Sequence, residues 1–141
     1  MEPKTFVHRH RVTYAECTLG DHVYYSRYLD LLEAARGEMF RSLGQPFLDW
    51  QARGFTFPVM ELQLRYHRQA RYDDELSVEL WLNRLDRLRL HFGCGIYRAK
   101  AELVLEGETR HVCATLEGKP RRLPAEFLEI LAPFVRPSPP A

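Results

Sequence analysis

Between Glu16 and Tyr25 the chain gathers two carboxylates, a thiol, a hydroxyl, an imidazole and two phenols within ten residues. Glu16, Cys17, Thr18, Leu19, Gly20, Asp21 and His22 form a polar elbow, and an unusually apolar helix follows. A carboxylate or imidazole there can orient or deprotonate water. A threonine hydroxyl cannot act as a base near neutral pH, but it can hold water or close a turn. Polar groups at the mouth of an apolar helix suit chemistry on an apolar substrate. Asp21 precedes the helix by about five residues, where a carboxylate either caps free N–H groups or carries the reaction. Glu16 and His22 are the other candidates for acid–base work, each also readable as a group that holds the elbow. Cys17 is a nucleophile only if a helix N-terminus lowers its pKa, and no triad spacing supports that role. Tyr24 and Tyr25 either line a substrate channel or pack at a dimer seam. Glu61, an acid in an otherwise apolar strand, faces either a site or solvent. Glu33 and Glu38 are reserve acids on the helix; Glu33 at helical spacing from Arg36 can equally form a surface pair.

Regular elements must position these groups. Residues 6–14 alternate, with Phe6, His8, His10, Val12 and Tyr14 on one face, as a strand does. Residues 26–43 form the one strong helix. Tyr28, Leu31, Leu32, Ala35, Met39 and Leu43 recur at helical spacing, Ser26 is placed to cap it, and Gly44 and Pro46 end it. Ala34, Ala35 and Gly37 make part of its surface small, which suits a central position. A connection with Trp50 as its anchor leads to four strand patterns, in residues 57–68, 76–83, 88–97 and 102–116. Gly107 and Glu108 suggest a bulge in the last. One strand, one long helix and four consecutive antiparallel strands make an α+β arrangement, with the late strands packing their apolar faces on the helix. Free sheet edges favour association of copies through strands.

Bulk properties set the frame. The 141 residues suffice for one domain, expected over residues 1–136 with a flexible tail at 137–141. Hydrophobic residues make up 45% and charged residues 28%, as in globular domains, and the net charge of +1 gives no field for nucleic acid or an anionic membrane. Three cysteines without CxxC spacing suggest neither a disulfide framework nor a zinc site. The first ten residues are charged and polar, so no leader is expected there, and no run is long enough to span a membrane. Cytoplasmic residence is the expectation.

The layout and its words resemble the hotdog fold, and more narrowly the 4-hydroxybenzoyl-CoA thioesterase and YbgC-like acyl-CoA thioesterase family. The residues that carry the likeness are Arg11-Val12-x-Tyr14, Glu16-Cys17-Thr18, His22-Val23-Tyr24, Tyr28, Glu33-Ala34-Ala35-Arg36 and Glu38. Weaker words follow at Ala70-Arg71-Tyr72-Asp73-Asp74, His111-Val112-Cys113-Ala114 and Gly118-Lys119-Pro120. The resemblance implies a curved five-stranded antiparallel sheet wrapped around one central helix. It implies a homodimer or homotetramer with acyl-CoA between subunits, and hydrolysis of a fatty or aromatic acyl-CoA thioester without cofactor or metal. A carboxylate at the start of the long helix then attacks the thioester or activates water, and N–H groups near Val23 to Ser26 polarise its carbonyl. Val23, Tyr24, Tyr25, Ser26, Tyr28 and Glu61 are the expected substrate contacts. Two or three of Arg65, Arg68, Arg71, Arg87, Arg89, Lys119, Arg121 and Arg122 are candidates for the CoA phosphates.

One departure matters. The family elbow reads Asp-x-Asp-x-x-Gly with the second Asp catalytic, and here that position is Thr18, with Asp21 where glycine is usual. Either Asp21 takes over the role, or the activity is reduced, altered or absent. A non-catalytic acyl-CoA-binding protein and a hydratase or dehydratase using His22 with Asp21 or Glu61 are the alternatives.

Overall fold

The structure, a computed structural model, describes residues 2–99 and 101–137. The part of the expected tail at 138–141 lies outside the described residues. Strand β1 (Phe6–Arg11) leads through a 3-10 turn (Tyr14–Glu16) into two short strands, β2 (Cys17–Thr18) and β3 (His22–Val23). Helices α1 (Arg27–Ser42) and α2 (Phe47–Ala52) follow. Strands β4 (Val59–Tyr66), β5 (Glu75–Leu85), β6 (Arg89–Arg98) and β7 (Glu102–Val112) come next, then helix α3 (Ala125–Leu131). Five strands form one antiparallel sheet in the order β1-β5-β6-β7-β4, and β2 and β3 form a separate hairpin.

The period-2 pattern explains the sheet. Leu76, Val78, Leu80 and Leu82 on β5 and Leu90, Phe92, Cys94 and Ile96 on β6 all turn inward and are buried. Against them α1 packs Leu31, Leu32, Ala35, Met39 and Phe40. Burying each large apolar side chain stabilises the fold by about 1.5–3 kcal/mol, which secures a sixteen-residue helix that propensity alone would not. The helix stops where Gly44 takes a φ of 72° and the Gln45 N–H reaches back to the Phe40 carbonyl at 2.9 Å.

Several sequence expectations change. The first strand ends at Arg11, because residues 14–16 curl into the 3-10 turn. Ser26 stands at the N-cap of α1, but its backbone is already helical and its side chain caps nothing. No bulge occurs at Gly107 and Glu108, which pair in register with Leu64 and Gln63 on one side and Cys94 and Gly93 on the other. The register shifts instead between Val59 and Glu61, between Leu82 and Arg84, and between Ile96 and Tyr97. Gly107 has a different reason: a Cβ there would stand 2.1 Å from the Gln63 carbonyl oxygen of β4. The largest change concerns β4. Met60, Leu62, Leu64 and Tyr66 were expected against the helix; Leu64 does pack on the core, yet Met60 is 70% exposed, and Leu62, Tyr66 and neighbouring Val59 are exposed as well. An apolar edge strand left this open lacks a cover.

Helix α3, which no sequence pattern announced, closes the end of the core near α2. Phe127 stacks on Trp50 with ring centroids 4.3 Å apart, and Phe40 meets Phe127 edge-on. Among the described residues no helix is long and apolar enough to cross a membrane.

Candidate active site

The elbow is a small braced unit. Thr13 and Glu16 form a reciprocal capping box around the 3-10 turn. Glu16 Oε1 accepts from the Thr13 N–H at 2.7 Å and the Thr13 hydroxyl at 3.1 Å, and His10 Nε2 lies 2.8 Å away. Burial works against the charged carboxyl, but the Thr13 donors and His10 outweigh it and hold Glu16 below its ordinary pKa. Strands β2 and β3 then pair Cys17 with Val23 and Thr18 with His22 around a three-residue loop, Leu19 to Asp21. Closing so short a loop needs left-handed backbone, supplied by Gly20 at φ 89° and Asp21 at φ 60°. Aspartate tolerates that region better than most residues do. The loop is tied down by Arg71 Nη1 to the Gly20 carbonyl at 2.9 Å and by the Val23 N–H to the Ala70 carbonyl at 2.8 Å.

Within this unit the candidates differ sharply. Asp21 is exposed at the hairpin, and among the described residues its carboxylate accepts no hydrogen bond and joins no ion pair. Thr18 is exposed beside it. His22 is half-buried, with Nδ1 3.2 Å from the Val23 carbonyl. Burial pushes the Cys17 thiol up, and the Asp21, Glu16 and Asp74 carboxylates push it further, the wrong direction for a nucleophilic thiolate. Val23 is buried in the core. Tyr24 and Tyr25 are exposed and lie ring to ring at 4.8 Å, and the Tyr66 hydroxyl donates to the Tyr25 carbonyl at 2.8 Å. Tyr28 is 2% exposed, and its hydroxyl accepts the Ala70 N–H at 3.1 Å, so it packs under the helix mouth. Glu61 is exposed on β4, 3.6 Å from Arg110. At the start of α1 the Arg27 N–H is taken by the Tyr24 carbonyl. Among the described residues nothing accepts from the N–H groups of Tyr25, Ser26 or Tyr28.

A groove of about 730 Å³ runs along the same helix from its first turn at Asp30 to Arg41, between α1, α2 and the start of β4. Phe40, Phe57 and Phe92 are among the aromatic residues of its walls, and Asp30, Glu33, Arg36, Arg41 and His111 are among the polar ones. No residue between Glu16 and Ser26 lines it, so the groove begins just beyond the elbow, at the first turn of α1. Burial pushes the His111 imidazole down to about 4, with the Arg36 and His91 charges adding to the effect. Its Nδ1 lies 3.0 Å from the Phe57 carbonyl and its Nε2 3.0 Å from the Thr109 hydroxyl. A neutral ring whose Nδ1 faces a carbonyl must carry its proton there, which leaves Nε2 as the acceptor for Thr109. Arg36 and His111 were not singled out from sequence as site residues. The available signal was position: Arg36 lies four residues from both Leu32 and Phe40, inside the buried stripe.

Comparison with known proteins gives a consistent result. Residues 12–131 match the sequence pattern of the thioesterase-like superfamily. The chain is 32% identical over 119 residues to the acyl-CoA thioester hydrolase YbgC of Escherichia coli O157:H7, covering 84% of this chain and 89% of that protein. It is 31% identical over 126 residues to a putative esterase of Aquifex aeolicus, covering 89% and 97%. Among solved structures, the DHNA-CoA thioesterase of Staphylococcus aureus superposes with a TM-score of 0.85 at 26% identity, covering 91% of this chain and 89% of that one.

Proposed function

The chain belongs to the thioesterase-like superfamily, and from that premise we propose that it hydrolyses an acyl-CoA thioester at the mouth of α1. The N–H groups of Tyr25, Ser26 and Tyr28 are free to receive the thioester oxygen. Such preorganised donors stabilise the tetrahedral oxyanion, and loss of one donor in acyl-transfer sites costs about 2.7–4 kcal/mol. Asp21 takes a proton from water as the water oxygen bonds to the carbonyl carbon. Collapse of the tetrahedral species breaks the carbon–sulfur bond, and the departing CoA thiolate takes up that proton. Thr18 and His22 flank the water.

The observation that carries this assignment is the contrast between the two elbow acids. Glu16 spends its carboxylate on Thr13 and His10, whereas Asp21 holds its own free at the hairpin. Asparagine suits the left-handed backbone at position 21 as well as aspartate does, so Asp21→Asn tests the chemistry without disturbing the turn. Across a panel of acyl-CoA esters kcat should fall by about 10²-fold or more; an unchanged kcat removes Asp21 from the role. One observation favours a second acid: Glu33 lines the aromatic groove and Asp21 does not. Glu33→Gln on the same panel separates the two.

The working unit is an assembly of two or four copies. The support is the exposed apolar strip of β4, Val59, Met60, Leu62 and Tyr66, next to exposed Tyr24 and Tyr25. A second copy laid on that edge covers the strip and brings CoA between subunits. Light scattering on the full chain tests this, and a monomer at micromolar concentration would exclude it.

A further inference from the structure

Arg36 is half-buried on α1, between buried Ala35 and Gly37, and has nothing to bind. Among the described residues it makes no hydrogen bond, and no carboxylate comes within 4 Å of it, whereas its neighbours on the same helix are paired. Arg41 meets Glu38 at 2.7 Å and Arg27 meets Asp30 at 3.4 Å. Burial disfavours the Arg36 charge and lowers its pKa; the Glu33 charge one turn away opposes that without touching it. The guanidinium is not sealed in. Trp50 Nε1 is the side-chain nitrogen left buried without a partner among the described residues, so the Arg36 nitrogens keep access to the groove they line.

A half-buried guanidinium offers five donors and no acceptor, and leaving them unmet in an apolar setting is unfavourable. Of the groove's other polar side chains, Arg41 is spent on Glu38, Asp30 lies against Arg27 and the Thr56 hydroxyl donates to the Thr115 carbonyl; Glu33 and Gln51 also line it. His111 is neutral, and both its nitrogens are engaged by Phe57 and Thr109. Of the two guanidinium groups that line the groove, Arg36 is the one without a partner among the described residues, and Phe40 and Phe92 lie along the same groove. The fork matches a carboxylate, which it can bind with two parallel hydrogen bonds. Position sets the length of the ligand. Arg36 lies nine residues beyond Arg27, about 13 Å along the axis at 1.5 Å per residue. A chain that starts at the helix mouth and ends at Arg36 is therefore of medium length.

We infer that Arg36 is a specificity-determining residue that receives the distal carboxylate of a medium-chain ω-carboxyacyl-CoA, with the acyl chain lying along α1 against Phe40 and Phe92. This rests on the thioester-hydrolase reading and names the substrate class of that site.

The test compares suberoyl-CoA with octanoyl-CoA, which have equal chain length and differ in the terminal carboxylate. Dissociation constants are measured by calorimetry alongside kcat/KM, for the wild type, Arg36→Met and Arg36→Lys, with the fold of each checked by circular dichroism. The wild type should prefer suberoyl-CoA at least tenfold. Arg36→Met should bring the ratio of the two substrates toward unity, and Arg36→Lys, which keeps the charge and loses the fork, should fall between. A wild type that favours octanoyl-CoA overturns the inference, and so does an Arg36→Met ratio equal to that of the wild type. An Arg36→Met protein that changes oligomeric state while keeping the ratio overturns it too, because the fork then serves a partner copy. If no ester is hydrolysed but the binding preference exists and depends on Arg36, the inference stands and the hydrolase reading falls.

Discussion

Replacing Glu16 by alanine tests whether this acid holds the elbow or acts on substrate. Its Oε1 meets the Thr13 N–H, the Thr13 hydroxyl and His10 Nε2 at 2.7, 3.1 and 2.8 Å. The first two close the 3-10 turn, and the third ties that turn to β1. The side chain is only 16% exposed, so these contacts are partly shielded from solvent. Loss of a capping residue costs about 0.5–2 kcal/mol, and a hydrogen bond to a charged group contributes about 1.5–3 kcal/mol. Three partners on one oxygen compete and do not add, so about 2 kcal/mol is the expected loss. At about 2.1 cal/mol/K per residue, the 141-residue chain unfolds with an entropy of about 0.3 kcal/mol/K, and Tm should drop by about 7 °C. The effect depends on pH with a defined sign. Because Glu16 titrates below its ordinary value in the folded chain, its contribution is full above the ordinary carboxylate range. It is lost as pH falls through the lowered folded value, so wild type and Glu16→Ala should converge in acid. Thermal melts followed by circular dichroism across that range read the prediction. Glu16→Gln, which keeps an acceptor for Thr13, should retain kcat within a few-fold of the wild type. An alanine variant melting within about 2 °C of the wild type at neutral pH would refute the bracing role. A glutamine variant with kcat reduced by about 10²-fold or more would make Glu16 the base.

Two further predictions concern the groove and the open edge. His111 titrates at about 4 in the folded chain against an ordinary 6.5, so between those values the unfolded chain binds a proton that the folded chain excludes. Stability should therefore fall by about 3 kcal/mol as pH drops through that window, and denaturant titrations of His111→Gln should show a flatter slope there. Gly107→Ala places a Cβ 2.1 Å from the Gln63 carbonyl, so β4 must shift away from β7. Hydrogen exchange should rise along residues 59–66, and light scattering should register a weaker assembly; protection equal to the wild type in β4 would show that the edge tolerates the group.

Much of the fold was legible in the sequence because two periodicities encode it directly. The alternation through Leu76 to Leu82 and Leu90 to Ile96 can bury its apolar set only as strands on one face. The stripe Tyr28, Leu31, Leu32, Ala35 and Met39 can bury its own only as a helix. The elbow was legible for the same local reason: Glu16 three residues after Thr13, and Gly20-Asp21 in a short turn, write their geometry within a few positions. Three things were not legible, because they depend on residues far apart in the chain. Whether Glu16 or Asp21 holds a free carboxylate turns on His10 from another strand. Whether β4 packs on the helix or lies open turns on which strands take the middle of the sheet, and β4 takes an edge beside β7. Arg36 reads along the chain as a helix-surface cation with Glu33 to pair with. Only when Phe92 and His111 from β6 and β7 come up beneath it does it become an unpaired guanidinium in an aromatic groove. Local periodicity determines which elements form, whereas the environment of a charged group is set by the sum of distant surfaces around it.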